Sequence, residues 1–198
     1  CSDLPIEQWY GVSLGPEDCY NISLEDNNLS GTFVLGDPNV CYIDVSGNPN
    51  VKEINTAGCT SLERLVYDRD VVTTLDVSEC DLLFNGNVHG KLVLSTILRD
   101  DLTLVSITAR NCPSITQVDI KRNFEKLDFA GCENLASLYI GLYSADSDDE
   151  VSHIGTLSIA GCNNLTSFVY PQLCTFDVID VSDCIHMETL PINTDYSE

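Results

Sequence analysis

Ile54-Asn-Thr-Ala-Gly-Cys-Thr-Ser-Leu-Glu-Arg-Leu65 decides the fold, because its opening returns five times downstream. The copies are Leu75-Asp-Val-Ser-Glu-Cys80, Ile107-Thr-Ala-Arg-Asn-Cys112, Leu127-Asp-Phe-Ala-Gly-Cys132, Leu157-Ser-Ile-Ala-Gly-Cys162 and Ile179-Asp-Val-Ser-Asp-Cys184. Each reads apolar, x, small or apolar, x, x, Cys. A further apolar residue usually stands three positions after the Cys and another after six, as in Leu62 and Leu65, Leu135 and Leu138, Leu165 and Phe168, and Met187 and Leu190. Successive cysteines lie 21, 32, 20, 30 and 22 residues apart. A period of about 21 residues accounts for three intervals, and one period plus roughly ten inserted residues accounts for the other two.

A second, weaker half-repeat runs about eleven residues out of phase. It comprises Ile22-Ser-Leu24, Ile43-Asp-Val45, Leu65-Val-Tyr67, Leu92-Val-Leu94, Val118-Asp-Ile120, Leu138-Tyr-Ile140 and Phe168-Val-Tyr170. An apolar-x-apolar triplet sets two side chains on one face of a short strand. One such turn cannot bury its own apolar edge, whereas stacked turns share a continuous core. The pattern therefore predicts a coil of about seven to eight turns.

Composition narrows the function. The chain has 198 residues, 43% of them apolar, which suits one domain with a sizeable core. Nine Lys and Arg face 31 Asp and Glu, a net charge of −22. Such a surface repels phosphate backbones and anionic headgroups, so nucleic acid is excluded as a partner. No apolar run is long enough for a membrane-spanning helix.

The pattern L-x-x-L-x-L-x-x-(N/C)-x-x-L resembles the leucine-rich repeat. The short period, the Asp-Val-Ser half-turns and Cys in the asparagine slot are similar to the internalin-type repeats of bacterial surface proteins. The resemblance covers about residues 9–192 and implies an α/β-solenoid class fold, mostly β, coiled right-handed with short parallel strands. It divides the chain into a tether at 1–8, an N-terminal cap and first repeat at 9–33, and a solenoid at 34–198 with inserts near 84–104 and 141–154. In that family the Cys or Asn slot faces inward at a tight bend and forms a ladder. The resemblance assigns Cys59, Cys80, Cys112, Cys132, Cys162 and Cys184 to it, with Asn27, Asn48 and Asn123 in the other half-turns. Cys is small, tolerates burial and donates weakly, so free buried thiols fit the slot. Metal ligation is the competing reading, but no C-x-x-C is present. Cys19 and Cys41 bracket one turn near the cap, where a disulfide and two buried thiols are both open readings.

A chain beginning Cys1-Ser-Asp resembles a bacterial lipoprotein after removal of its signal, with a diacylglycerol and an acyl chain on Cys1. The resemblance implies an outer-membrane, lipid-anchored location on the extracellular side. It further implies a non-catalytic interaction module, acting as accessory to a TonB-dependent barrel transporter and its lid lipoprotein during peptide or glycan import. An adhesin for a host protein and a direct glycan or peptide binder are the alternatives.

Candidate contact residues sit on breaks and faces of the repeat. The insert at 141–153 carries Tyr143, Asp146, Asp148, Asp149 and Glu150. Asp146, Asp148 and Glu150 make Ca²⁺ a weak option, since the stretch lacks the EF-hand glycine and distal Glu. Tyr42 and Tyr139 fall at outward positions, from which tyrosines can stack on sugars or peptides. Tyr67 and Tyr170 are read as inward. Asn55, Asp76, Thr108, Asp128, Ser158 and Asp180 form a polar outward row, read either as a contact surface or as a solvated face. No nucleophile elbow, phosphate loop, H-E-x-x-H or dinucleotide glycine motif occurs, and the three histidines are scattered.

Overall fold

A computed structural model describes residues 10–68, 70–85, 91–93, 104–120, 123–141, 153–170 and 174–187. Both half-repeats fold as strands. The Cys half-repeats end β5 (Asn50–Asn55), β7 (Thr74–Asp76), β9 (Ser106–Thr108), β11 (Phe124–Asp128), β13 (His153–Ser158) and β15 (Thr175–Asp180). The other half-repeats give β2 (Tyr20–Ser23), β4 (Val40–Asp44), β6 (Arg64–Val66), β8 (Lys91–Val93), β10 (Gln117–Ile120), β12 (Ser137–Ile140) and β14 (Ser167–Val169). Near the N-terminus lie β1 (Val12–Leu14) and β3 (Ser30–Val34). Helix is confined to one 3₁₀ turn at Pro16–Asp18 and α1 (Leu82–Asn85) among the described residues. None of it is long and apolar enough to cross a membrane.

Odd and even strands separate onto different sheets, as a coil requires. Seven strands stand in the order β3-β5-β7-β9-β11-β13-β15, every pair parallel. Even strands form the groups β2-β4-β6 and β8-β10-β12-β14, also parallel. The molecule is thus a mostly β solenoid of about six laps, counted between the first and last of the seven odd strands. Among the described residues this is fewer than the expected seven to eight. The first strand, β1, folds back antiparallel on β2 and adds a hairpin instead of a lap.

Apolar residues from both strand sets meet between the sheets. Ile54, Leu62, Leu127, Leu135, Leu138, Leu157 and Leu165 are fully buried, one lap above another. Tyr67 and Tyr170 pack against this core, at the inward positions read from their triplets. The apolar residue three positions after each Cys has a backbone role too. Leu62, Ile115, Leu135, Leu165 and Met187 each donate their N–H to the carbonyl of the Cys three residues earlier. That bond turns the chain from an odd strand toward an even one, and the side chain then falls into the core.

The bend has a fixed conformation. The residue before each ladder Cys holds a left-handed φ: Gly58, Glu79, Asn111, Gly131, Gly161 and Asp183. Glycine reaches this region without strain, and Asn or Asp more readily than other residues. This explains the recurrent Ala-Gly-Cys. The same residues hydrogen-bond across laps, Gly58 to Ser78, Glu79 to Arg110, Asn111 to Ala130, Gly131 to Ala160 and Gly161 to Ser182, each N–H donating to a carbonyl. Strand-type pairing therefore continues around the corner.

Candidate functional site

The sulfur seam is a structural site first. Cys59, Cys80, Cys112, Cys132 and Cys162 are fully buried, Cys184 is half-buried, and all six are free thiols. Each Sγ donates to a carbonyl one lap earlier: Cys59 to Leu35 at 3.2 Å, Cys80 to Thr56 at 3.0 Å and Cys132 to Ala109 at 3.1 Å. Cys162 meets Phe129 at 3.3 Å and Cys184 meets Ile159 at 3.0 Å. The geometry repeats, because from Cys80 onward the acceptor stands three residues before the preceding Cys. Cys112 follows a long insert and is the loosest, 3.7 Å from Val77 and 3.4 Å from Arg110 within its own bend.

Burial disfavours the thiolate and sets the chemistry of the seam. It pushes Cys80 and Cys132 up to about 11 and Cys162 up to about 12, and it raises Cys59, Cys112 and Cys184 as well. Cys174, buried off the seam, is pushed up to about 11 by the same cause. A protonated buried thiol is neither a nucleophile nor a metal ligand at neutral pH. Among the described residues no group of three or more His, Cys, Asp or Glu is arranged to hold a metal ion.

The asparagines assigned to the same slot differ from one another. Asn48 is buried, donates from Nδ2 to the carbonyls of Leu24, Val45 and Ser46, and accepts the Leu29 N–H at 2.9 Å. Asn27 is exposed and donates to Glu25 at 2.8 Å, since it belongs to the first lap and has none before it to bond. Asn123 is also exposed, and its Oδ1 accepts the His153 N–H at 2.7 Å. It steadies the entry to the next strand and lies outside the buried ladder.

The outward row is real in register. Asn55 pairs with Asp76, Asp76 with Thr108, Thr108 with Asp128, Asp128 with Ser158 and Ser158 with Asp180. Its carboxylates and amide are already occupied, however. Asn55, Asp76, Asp128 and Asp180 each accept the backbone N–H two residues on, which starts the bend. Ser78 and Ser182 add a hydroxyl donor to Asp76 and Asp180. The Asp-Val-Ser sequences carried this signal, since Asp accepts from an amide two residues ahead in an Asx-turn.

Asp128 departs from the row. Its side chain is 1% exposed and is gripped by Arg110, whose Nε stands 2.9 Å away and whose Nη2 is closer, with Lys126 at 3.6 Å. Burial works against its charge, but the Arg110 guanidinium, the Ala130 N–H and Lys126 outweigh it and hold the carboxyl below the ordinary range. Sequence reading missed this cluster because Arg110 lies in the bend of one lap and Asp128 on the strand of the next.

Tyr42 and Tyr139 are not brought together. Tyr42 lies on β4 and Tyr139 on β12, which belong to different even-strand groups. Tyr42 donates its hydroxyl to Asp44 at 3.0 Å, and Arg64 lies over its ring at 5.7 Å. Asp44 also accepts from the Ser46 amide and hydroxyl; burial opposes its ionisation, and these donors outweigh it, so its pKa is lowered. Cys1, Tyr143, Asp146, Asp148, Asp149 and Glu150, and with them the Ca²⁺ option, lie outside the described residues. So does most of both inserts.

At the N-terminal end Cys19 and Cys41 form a disulfide, resolving the two readings of that pair. It joins the loop after β1 to β4, one lap on.

No family model, curated protein or solved structure matches the chain.

Proposed function

We propose that this protein is a non-catalytic, cell-surface lipoprotein built on leucine-rich-repeat-like turns. It serves as an interaction module accessory to an outer-membrane TonB-dependent import complex for peptides or glycans. The observation that carries this reading is the stacking of similar laps. The seven parallel odd strands form one sheet with a long continuous face, and such faces suit a solenoid to docking other proteins. Two further features support it. The seam thiols are held protonated, against a reactive role. The Cys19–Cys41 disulfide suits an oxidising compartment outside the cytoplasm.

Mass spectrometry of the protein purified from its native membrane, with the proteins that accompany it, tests the reading. Acylated Cys1 and a co-purifying barrel protein are expected. Unmodified Cys1, with no membrane protein retained, would sink it. Calorimetry with oligosaccharides and oligopeptides separates the direct-binder alternative, which requires heat of binding from the isolated protein.

A further inference from the structure

The last lap is built like the others but nothing among the described residues covers it. Leu157, Ile159, Cys162 and Leu165 are fully buried, whereas their successors Ile179, Val181, Cys184 and Met187 are all half-exposed. Ile154 is buried and its register partner Phe176 is not. Val178 and Ile185 are 55% and 72% exposed. On every earlier seam lap, the residue three before the Cys and the residue one before it donate N–H groups to the following lap. Their counterparts here are Val181 and Asp183, with no following lap to receive them among the described residues.

β15 is also well formed as a template. It pairs with β13 at one constant offset, from His153 with Thr175 to Ser158 with Asp180. The opposite end of the same sheet is blunter. There β3 meets β5 with a register shift between Gly31 and Thr32, and such bulges discourage edge pairing.

Charge selects the occupant. No Lys or Arg follows Lys126, while residues 127–198 carry 12 Asp and Glu. Asp177, Asp180 and Asp183 are exposed on or beside the open strand, and among the described residues the imidazole of His153 lies 3.6 Å from Asp177. A second copy of this chain would bring the same acids against them. We infer that the open edge of β15 and the half-covered residues behind it receive an extended, Lys- or Arg-bearing segment of a partner protein. That segment pairs as an added strand, its apolar side chains on Phe176, Ile179 and Val181 and its cations on Asp177, Asp180 and Asp183. Strand addition supplies affinity through the main chain and specificity through alternate side chains.

This rests on the interaction-module reading and specifies its surface. The probe is a ten-residue peptide alternating Lys and Val, compared with one alternating Glu and Val, against the full chain. Fluorescence anisotropy is expected to show binding of the Lys peptide at least tenfold tighter, weakening as salt rises. Amide exchange is expected to slow at Val181 and Asp183. Val178→Lys, on the exposed face, is expected to weaken binding at least fivefold without loss of fold. Equal binding of both peptides, or protection elsewhere on the coil, overturns the proposal. So does protection of the same amides in the free protein, whether lost on dilution (a second copy) or on deletion of residues 188–198 (the chain's own tail). Retention of the barrel protein by the Val178→Lys variant overturns this surface but leaves the accessory reading standing.

Discussion

The two ends of the coil solve the same problem differently. Any terminal lap exposes a strand edge and the apolar residues that a neighbour would cover. At the N-terminal end β1 turns back antiparallel along β2, and the Cys19–Cys41 disulfide ties the connecting loop to the next lap. At the other end, β15 is the outermost strand among the described residues, with half-covered Ile179, Val181, Cys184 and Met187. A repeat specifies its own interior, because each lap is the other's environment. It does not specify a terminus, which needs residues of another kind.

The largest test compares equivalent core positions. Leu157→Ala in the interior is expected to cost about 2–5 kcal/mol in urea unfolding, whereas Ile179→Ala, half-exposed in the last lap, is expected to cost about 1 kcal/mol. Equal costs would mean that the last lap is covered in solution. Next is the disulfide. Replacing Cys19 and Cys41 by Ala is expected to lose about 3 kcal/mol, with faster amide exchange confined to β1, β2 and β4. Loosening that spread to β13 and β15 would break the picture of independently closed ends.

A smaller effect is expected at the bend. Gly131 has φ +74° and a Cβ there would strike the Asn111 side chain. Gly131→Val should therefore cost at least about 1–2 kcal/mol, more than Val at an exposed strand position. Smallest is the pH effect. The pKa values of Asp44 and Asp128 are lowered by folding, so their stabilisation is complete above the unfolded pKa and lost as pH falls through the folded one. Unfolding free energy is expected to fall below about pH 4, less steeply in Asp128→Asn than in the unaltered chain. An unchanged slope would show that Arg110 does not favour the ionised form.

Most of the architecture was legible in the residues. The apolar-x-apolar triplets named the strands, and the Cys spacing named the lap. Three things were not legible. The lap count came out higher than the six laps between the seven odd strands, because it divided chain length by the period and not every stretch of that length adds a strand to the odd sheet. Asn27 and Asn123 share a residue type with Asn48 but not its burial: Asn27 stands in the first lap with none before it, and Asn123 instead accepts the His153 N–H at the entry to the next strand. The Arg110 and Asp128 cluster joins residues 18 apart in sequence, a separation set by lap length and invisible to local patterns. Of the contact residues, Tyr42 proved to be engaged with Asp44 on its own strand and with Arg64 on the neighbouring one, the second a coupling that no triplet encodes.

The seam has one further consequence. Because Cys162 bonds Phe129 as Cys184 bonds Ile159, the joint between two units recurs along the seam, loosest at Cys112. Excising residues 133–162 would bring Cys184 over the Phe129 carbonyl, the acceptor that Cys162 uses. Gene duplication or deletion between two such sulfurs can thus lengthen or shorten the protein while leaving each junction chemically unchanged, so that size is free to drift where sequence at the joint is not.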